Sequence, residues 1–478
     1  NAGRITFRAT DFKSEDGGII RASDCWFDRI GYFNLGDTGR GTRVGAWPDV
    51  LFPASEVLQG KYPVQPILFT VKSAKDQKPG LYRGTVTFSN GKEDFPIQLT
   101  LRIYPFSLPD TPSLRMDIWF WQLRPICFFK DKNPVSLELY EKFLKLLGKY
   151  KFAGAPQNDV VSGLLRVRIG DDGKYKFDFS LLKQYYDLSL KYGANVITLP
   201  IGGLVNMKHG GKILLDKNNQ LRNFKPVNEA EWNDQLLEAF LRFFRENGYM
   251  KYAVVRIGDE PWGAKAQEAI RESVVRLRKF DKEVPVVTAG TVRKNMNLDG
   301  SINIWCPQFL QFVPADYKDM KKDEKLWFYQ CLYKKGFPMY QIDRPAIEPR
   351  ITGLICWQAG AEGFLYWTST AWDTDAIREW KLKNDRWVSE NWKFVWKDMP
   401  GDGSFVFPSP DGPVATLRAN SIREGVDDYE YMAILRKTLK EAEARGKVSP
   451  ALKAKAEAML KIPDSIVSAP YKIGRAHV

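Results

Sequence analysis

Tyr252-Ala-Val-Val-Arg-Ile-Gly-Asp-Glu-Pro-Trp262 is an apolar run that stops abruptly at two carboxylates and a proline. Residues 252–257 are β-branched and apolar enough for a buried, parallel strand. Gly258 lets the backbone turn, and the proline bars further ladder pairing. Asp259 and Glu260 therefore lie where a strand ends and its loop begins. Because neighbouring side chains of a strand point to opposite faces, the two acids share one pocket only if the chain leaves β geometry here.

This acidic pair has two interpretations. Acids that follow a strand often cap the N-terminus of the next helix, where they suit its dipole. Alternatively, they are catalytic groups at the carboxyl end of a parallel strand, which is where barrel enzymes carry their active sites. The rest of the sequence has to distinguish a cap from a catalyst.

From residue 113 onward, strand-like segments alternate with helical ones. The predicted strands are 114–119, 152–156, 194–200, 252–257, 284–289, 302–306, 325–331 and 363–368. Helical patterns separate most of them, as over 180–192, 264–280 and 348–361. One helix is expected to begin after the cap Asn228 and to end at Gly248. Eight such units over about 270 residues are the size of a (β/α)8 barrel. The predicted fold class is therefore α/β, with a (β/α)8 TIM-like barrel over residues 111–405.

The regions on either side of this barrel differ from it in pattern. Strand-like segments with polar–apolar alternation precede it, and Ser89-Asn-Gly-Lys92 is a hairpin turn signal between two of them. These features predict an N-terminal β-sandwich over residues 1–110. Residues 406–472 are predicted to form a C-terminal helical segment that packs on the barrel. The last residues, 473–478, match a sequencing adapter and are expected to be non-native.

Composition excludes several functional classes. The chain has 478 residues with a formal charge of +14, but its Lys and Arg are scattered, so no nucleic-acid partner is expected. No apolar run approaches the roughly 20 residues that span a bilayer, so no membrane insertion is expected. Only two histidines are present, and the five cysteines are widely spaced. No metal, cofactor or disulfide framework is therefore predicted. The start without Met leads us to expect a removed signal peptide and a secreted or periplasmic protein.

Aromatic and polar residues gather at the predicted carboxyl ends of the strands. A single residue of this kind more often packs in the core than binds a ligand. Several at the same end of separate strands favour a sugar-binding site, because aromatic faces stack on pyranose rings. The candidate substrate-binding residues are Trp119, Trp305, Gln308, Tyr329, Tyr366, Trp367 and Asp373.

One absence at these strand ends bears on the mechanism. An ordinary retaining glycosidase needs a second carboxylate, roughly 5 Å from the acid. In many barrel glycosidases that nucleophile ends the seventh strand, which here ends in Tyr329-Gln-Cys331. Substrate-assisted catalysis, in which the 2-acetamido oxygen of the sugar attacks, removes the need for it. Glu260 would then be the acid/base and Asp259 the group that orients the acetamide N–H. As close like charges, they would push one pKa upward and titrate as a pair.

The chain resembles glycoside hydrolase family 123, the β-N-acetylgalactosaminidases. The resemblance covers nearly the whole chain and rests on these motifs: Gly80-Leu-Tyr-Arg-Gly-Thr85, Pro105-Phe-Ser-Leu-Pro109, Gly258-Asp-Glu-Pro261, Leu326-Trp-Phe-Tyr329, Gly363-Phe-Leu-Tyr-Trp367 and Ser421-Ile-Arg-Glu-Gly-Val-Asp-Asp-Tyr-Glu-Tyr431. It implies that Asp259 orients the acetamide, that Glu260 is the acid/base, and that Tyr329 and Trp367 line the pocket. Arg423, Asp428 and Tyr429 are interpreted as structural residues that tie the last helix to the barrel.

The predicted function is an exo-acting, retaining hydrolase that releases terminal β-linked N-acetylgalactosamine from a glycan. One alternative is a β-glycosidase on another sugar that uses a separate carboxylate, such as Asp373. Another is a non-catalytic glycan-binding protein, against which the intact acidic pair argues.

Overall fold

The computed structural model describes residues 3–37, 44–58, 64–120, 136–156, 158–199, 212–332, 336–372, 382–383, 386–387, 398–409, 412–468 and 472–473. The strands, in chain order, are β1 (Arg4–Ala9), β2 (Phe12–Ser14), β3 (Ile19–Ile20), β4 (Cys25–Leu35), β5 (Gly45–Pro53), β6 (Glu56–Leu58), β7 (Ile67–Val71), β8 (Gly80–Ser89), β9 (Asp94–Ile103), β10 (Arg115–Ile118), β11 (Arg166–Ile169), β12 (Tyr175–Asp178), β13 (Ile197–Leu199), β14 (Lys212–Leu215), β15 (Leu221–Asn223), β16 (Ala253–Arg256), β17 (Val286–Ala289), β18 (Ile304–Cys306), β19 (Lys325–Tyr329), β20 (Gly363–Tyr366), β21 (Leu382–Lys383), β22 (Arg386–Trp387), β23 (Val406–Ser409), β24 (Gly412–Ala415), β25 (Val467–Ser468) and β26 (Lys472–Ile473). The helices are α1 (Leu137–Lys149), α2 (Asn158–Leu164), α3 (Ser180–Lys191), α4 (Glu229–Glu246), α5 (Ala264–Arg278), α6 (Ile347–Arg350), α7 (Thr352–Ala359), α8 (Leu417–Ala444) and α9 (Pro450–Met459).

A parallel sheet forms the centre of the molecule. Its strand order is β10-β20-β19-β18-β17-β16-β13, so neighbours follow chain order and the first strand pairs with the last. This is the cyclic order that a (β/α)8 barrel requires. The described sheet has seven strands, however, and β10 and β13 are its edges, with no described strand hydrogen-bonded to either on its outer side. The parallel α/β architecture is confirmed, whereas a complete eight-stranded barrel is not.

The predicted second strand, 152–156, is wrong. These residues are buried but pair with no neighbour as a described strand. Gly154 passes so close to the carbonyl oxygen of Ile118 that a Cβ would be only 2.6 Å from it. The segment thus fills space beside β10 without a hydrogen-bonded ladder, which its proline, Pro156, would in any case interrupt.

A side chain joins the two edges of the sheet instead. The amide of Asn195, just before β13, accepts from the Met116 N–H at 2.9 Å and donates to the carbonyls of Pro112 and Leu114 at 2.8 Å each. Because Met116 belongs to β10, the two edge strands lie next to each other. The residues that lead into β13 therefore lie beside the start of β10, although the two strands do not pair.

Strand alternation gives this sheet two buried faces. Val254, Val287, Ile304, Trp327 and Leu365 belong to one apolar cluster on the inner face. Their sequence neighbours on the same strands pack outward into the main core under the helices. Burial on both faces explains why these strands read as continuous apolar runs rather than as alternating ones.

The helix predicted after Asn228 shows how local sequence sets an element boundary. The Asn228 side chain accepts from the N–H groups of Ala230 and Glu231 at the first turn of α4. Gly248 lies just beyond its end with a φ of +70°. The buried residues of α4 recur at helical spacing, which places one face on the sheet. The cap, the stop and the helix are confirmed.

The N-terminal region is antiparallel β structure in two sheets. One has the order β3-β2-β8-β1-β6 with β9 on β8, and the other has the order β5-β4-β7. Phe7 of the first sheet contacts Phe27 of the second with ring centroids 4.7 Å apart. Asn90 forms the hairpin turn between β8 and β9, where its side chain accepts from the Lys92 N–H. The prediction of an N-terminal antiparallel β region is confirmed.

Helix α8 ties the end of the chain to the rest. Arg350 donates to Asp428 at 2.9 Å, and the Tyr429 hydroxyl donates to the Ala361 carbonyl at 3.2 Å. These contacts agree with the structural interpretation of Asp428 and Tyr429. The four-stranded sheet β12-β11-β14-β15 has no counterpart in the sequence-based prediction.

Candidate active site

The turn after β16 positions the acidic pair. The strand ends at Arg256, and the chain then enters left-handed backbone at Gly258 (φ +72°) and again at Glu260 (φ +43°). The Glu260 N–H donates to the Ala289 carbonyl at 2.9 Å, which fixes the turn to the end of β17. The chain thus leaves β geometry between the two acids, as expected. A positive φ at a residue other than glycine is uncommon and is concentrated at functional sites.

Gly290 makes room for this turn. A Cβ on Gly290 would lie 3.0 Å from Glu260 Cα and 3.1 Å from its Cγ. The absence of a side chain at Gly290 therefore lets the backbone of Glu260 approach the next strand.

The helix that follows the acidic pair does not use it as a cap. Helix α5 begins at Ala264, its N-cap is Gly263, and no side chain makes a capping hydrogen bond there. The interpretation of Asp259 and Glu260 as a helix cap is therefore wrong.

The electrostatic environment of Asp259 disfavours its ionised form. Both residues of the acidic pair are exposed as whole residues, but the Asp259 carboxyl is partly buried. Partial burial of the carboxyl raises the pKa of Asp259, the negative charge of Glu260 raises it further, and the positive charge of Arg256 lowers it. The expected repulsion between the acids is thus present, and it acts on Asp259.

Tyr329 is the last residue of β19 and faces Glu260. Its hydroxyl donates to Glu260 Oε1 at 2.6 Å, and the residue is only 4% exposed. Burial and this hydrogen bond raise the pKa of Tyr329, so the hydroxyl keeps its proton. Among the described residues, β18 and β19 present Cys306 and Tyr329 to the inner face at their carboxyl ends, and neither is a carboxylate.

Gln308 and Cys331 lie beside this tyrosine. The Gln308 side-chain amide donates to Cys331 Sγ at 3.3 Å, and the backbone of Gln308 bridges to Tyr329. Burial raises the pKa of the Cys331 thiol to about 12, and the charges of Asp402, Glu260 and Asp259 contribute to the rise. The thiol is therefore uncharged at neutral pH and lies near both acids. The structure brings Gln308 and Tyr329 to the acidic pair.

An ion pair on the inner face adjoins the site. Arg256 forms a salt bridge with Asp117 of β10, and their side chains are 9% and 5% exposed. The Arg256 guanidinium lies 3.9 Å from the centre of the Trp119 ring. Trp119 is half-buried and is thus brought near the acidic pair through Arg256.

Trp305 and Tyr366 lie away from the site, which corrects their assignment to sugar binding. Both are fully buried in the main core on the outer face of the sheet. The Trp305 indole N–H donates to Glu324 at 3.1 Å, and the Tyr366 hydroxyl donates to Asp402 at 2.7 Å. Strand alternation is the reason, since Trp305 and Tyr366 are the outward neighbours of the inward-facing Cys306 and Leu365.

The remaining candidates follow the last strand. Trp367 is half-buried, and a hydrogen bond from its side chain is among the interactions that lower the pKa of Asp402, although burial raises that pKa overall. Asp373 lies outside the described residues.

Neither a membrane span nor a metal cluster is found in the described part of the chain. None of its helices is long and apolar enough to cross a bilayer. Within the same residues, no three His, Cys, Asp or Glu side chains form a group that could hold a metal ion.

Sequence reasoning missed Arg256 and Asp117 as parts of the site. A signal was available for Arg256, because it is the one charged residue of the apolar strand β16. The signal for Asp117 was weaker, because β10 also carries Arg115. Asp402 was also missed. It is buried between Gly401 and Gly403, and it accepts from the Tyr366 hydroxyl and from the Leu332 N–H.

Comparisons with known proteins agree with this architecture. The family profile described as glycoside hydrolase 123, catalytic domain, matches residues 147–435, more than half of the chain. A solved family 123 glycoside hydrolase from Clostridium perfringens, described in terms of glycolipid glycan hydrolysis, matches with a TM-score of 0.66 and 17% identity, over 98% of this chain and 85% of its own.

Other matches are more distant. A β-D-glucuronidase from Dictyoglomus thermophilum has a TM-score of 0.30 and 12% identity, over 89% of this chain and 64% of its own. No curated protein matches the sequence. The similarity to the Clostridium perfringens structure shows the fold, and the profile match shows the family. The chain belongs to glycoside hydrolase family 123 and is therefore a glycosidase.

Proposed function

We propose that the chain is an exo-acting, retaining β-N-acetylgalactosaminidase that works by substrate-assisted catalysis. One observation carries the proposal. Glu260 lies on a strained turn beside Asp259, and the residue that faces it from the end of β19 is a tyrosine and not a carboxylate. A retaining glycosidase without that carboxylate requires another nucleophile, and a 2-acetamido group supplies one.

The first step forms a cyclic intermediate. The acetamide oxygen of the sugar attacks the anomeric carbon, the glycosidic C–O bond breaks, and Glu260 gives its proton to the departing oxygen. Asp259 accepts a hydrogen bond from the acetamide N–H and stabilises the positive charge that develops on the oxazolinium ring. The ionised form of Asp259 and the protonated form of Glu260 are therefore the active pair.

The second step restores the acid. Glu260 takes a proton from water, the water oxygen attacks the anomeric carbon from the face that the leaving group vacated, and the ring opens to regenerate the acetamide. Two displacements at one carbon give net retention. Tyr329 supports Glu260 in both steps, because its hydroxyl donates to Oε1 and limits the rotation of the carboxyl group.

The substrate class follows from the family and the mechanism together. A glycosidase acts on a glycan, and the proposed mechanism restricts the reacting sugar to one with a 2-acetamido group. The Clostridium perfringens relative is described as acting on glycolipid glycans. We propose terminal β-linked N-acetylgalactosamine on such a glycan as the substrate.

The test compares hydrolysis of aryl β-GalNAc, aryl β-GlcNAc and aryl β-Gal by the wild type and Glu260→Gln. Activity is expected only with the acetamido sugars, and GalNAc is expected to be turned over faster than GlcNAc. Glu260→Gln should lower kcat about 100-fold or more, since it removes the acid/base. Glu268→Gln is the matched control, because Glu268 is exposed on α5. Equal turnover of the galactoside would contradict substrate assistance.

A second experiment separates the roles of the two acids. Asp259→Asn should lower kcat by a factor of about 100 to 1000, because it loses the charge that stabilises the oxazolinium ring. A thiazoline mimic of the ring should inhibit the wild type and bind Asp259→Asn much more weakly. An unchanged rate for Asp259→Asn would remove this residue from the mechanism.

A further inference from the structure

A buried ion pair spans the inner face of the sheet beside the acidic pair. Asp117 lies between Met116 and Ile118, which pack outward, so its side chain faces inward. Arg256 follows the same alternation, two residues after the inward-facing Val254. Asp117 belongs to β10, the first strand of the sheet, and Arg256 to β16, the third. Their salt bridge therefore crosses the gap between the two edge strands β10 and β13.

Aromatic stacking further restricts Arg256. Its guanidinium lies over the face of Trp119, 3.9 Å from the ring centre, and Trp119 follows β10 directly. The backbone of Trp119 is fixed to the last strand, because its N–H donates to the Tyr366 carbonyl at 3.1 Å. A planar cation held by a carboxylate and by a ring face has little freedom to move.

We propose that Arg256 is a positioning residue of the active site: held by Asp117 and by Trp119, it keeps a fixed positive charge beside the Asp259 carboxylate. This inference rests on the proposed function, in which Asp259 acts in its ionised form. Arg256 is three residues from Asp259 and its charge favours that form, against the opposing effects of burial and of Glu260. The negative charge of Asp117 partly neutralises Arg256 and so limits how far Arg256 lowers the pKa of Asp259.

The other ionisable groups near the pair are mostly uncharged at neutral pH. Burial raises the pKa values of the Cys306 and Cys331 thiols and of the Tyr329 hydroxyl, which leaves them protonated. Asp402, buried beneath Tyr366, acts on Cys331. Among the described residues, the charges of Glu260 and Arg256 act on Asp259, and the Cys306 and Cys331 thiols feel the charge of Asp259. Asp117, Tyr329 and Asp402 adjoin these groups through Arg256, Glu260 and Cys331 in turn.

The proposal predicts that replacing Arg256 and replacing Asp117 shift the acid limb of the pH profile in opposite directions. Arg256→Gln removes a charge that lowers the pKa of Asp259, so the acid limb of the profile of kcat/KM against pH should move to higher pH, by about one unit. Asp117→Asn removes a negative charge that partly neutralises Arg256, so the same limb should move to lower pH. Arg256→Lys keeps the charge and should return the limb close to its wild-type position.

Arg293→Gln is the matched control for this series. Arg293 is paired with the buried Glu324 beneath Trp305, on the outer side of the sheet. Its replacement breaks a buried Arg–carboxylate pair just as Arg256→Gln does, but away from Asp259. It should lower the thermal midpoint and leave the acid limb unchanged.

The profiles are measured with whichever of the three aryl glycosides is hydrolysed, so the test of Arg256 does not depend on the sugar. Binding of the thiazoline is measured separately on the wild type. Failure of the thiazoline to bind would overturn the proposed function. Acid limbs that stay in place in both Arg256→Gln and Asp117→Asn, or that move in the same direction, would overturn the role of Arg256. If Arg256→Gln does not fold, Arg256→Lys and Asp117→Asn still decide the outcome by the position of the limb.

Discussion

At the scale of single residues, the site depends on backbone that ordinary side chains avoid. Glu260 adopts a φ of +43°, and the structure tolerates this strain because its N–H is bound to Ala289 and because Gly290 leaves room beside it. The strain has a consequence, since the backbone leaves β geometry between the two neighbouring acids and their side chains no longer alternate as in a strand. Conformations of this kind persist only when the surrounding structure enforces them.

Gly290→Ala should therefore impair catalysis more than folding. Gly290 has a φ of +79°, so alanine there costs about 1 kcal/mol of stability from strain alone, and its Cβ would push against Glu260. We expect kcat to fall about 10- to 100-fold, because small displacements of a catalytic group are costly.

Gly300→Ala is the control for this prediction. Gly300 has a nearly identical φ of +76°, but no atom lies within 4 Å of the position of its Cβ. It should lose similar stability in thermal unfolding and keep its kcat. Equal kcat values for the two variants would show that the contact with Glu260 is unimportant.

The residue scale also shows what the sequence could and could not predict. The acidic pair was identifiable because Gly258 and a proline end an apolar strand beside it. Trp305 and Tyr366 were misassigned because they are near the correct strand ends but face outward. Whether a side chain faces inward depends on strand register, and a bulky aromatic suits both faces of a sheet that is buried on both sides.

At the scale of elements, the two edge strands β10 and β13 do not pair, and we call the gap between them the seam of the sheet. No described strand fills it, and the Asn195 side chain replaces the missing ladder with three hydrogen bonds to residues at the start of β10. Those groups are buried, so they have no access to water when their partner is removed.

Asn195→Ala is expected to lower the free energy of unfolding by about 2–4 kcal/mol, because it leaves buried backbone groups unpaired. Asn218→Ala, at an exposed turn, should change it by less than about 0.5 kcal/mol. Urea denaturation of both variants measures the difference. A loss for Asn195→Ala as small as that of the control would mean that the seam is held by other contacts.

Helices and strands could be predicted from the sequence when the residues that determine them lie within or next to the element itself. The cap Asn228 and the stop Gly248 lie within one helix, and both were recognised. The failed strand at 152–156 is apolar and of strand length, but its conformation depends on the close approach of Gly154 to Ile118. Contacts between segments that are distant in sequence leave no such local pattern.

At the scale of the whole molecule, one buried ion pair connects the N-terminal β region to the C-terminal helix. Arg418 of α8 binds both carboxylate oxygens of Asp49, at 3.0 and 2.8 Å, and also donates to the carbonyls of Tyr340, Gly401 and Ser404. Asp49 belongs to β5, so three separate parts of the chain meet at this guanidinium. Neither residue stood out as functional in the sequence, because their partnership exists only across 369 positions of chain.

Asp49→Asn should lower the free energy of unfolding by about 3–5 kcal/mol, because it leaves the charge of Arg418 buried without a counter-ion. Glu15→Gln is the control, since Glu15 pairs with Arg83 at 3.1 Å but its side chain is 88% exposed. The control should lose less than about 1 kcal/mol. Chemical denaturation provides both values, and similar losses would contradict the role assigned to the buried pair.

The cyclic order of the sheet has a consequence for synthesis of the protein. The first strand pairs with the last, and Glu430 of α8 accepts from the Ser113 hydroxyl at 2.8 Å, just before the first strand begins. On the ribosome, Ile118 at the end of β10 emerges 245 residues before Gly363 of its partner strand β20, and Ser113 emerges 317 residues before Glu430. The N-terminal β sheets, whose pairings are more local, can fold during this interval, whereas the central sheet can be completed only after β20 has been synthesised.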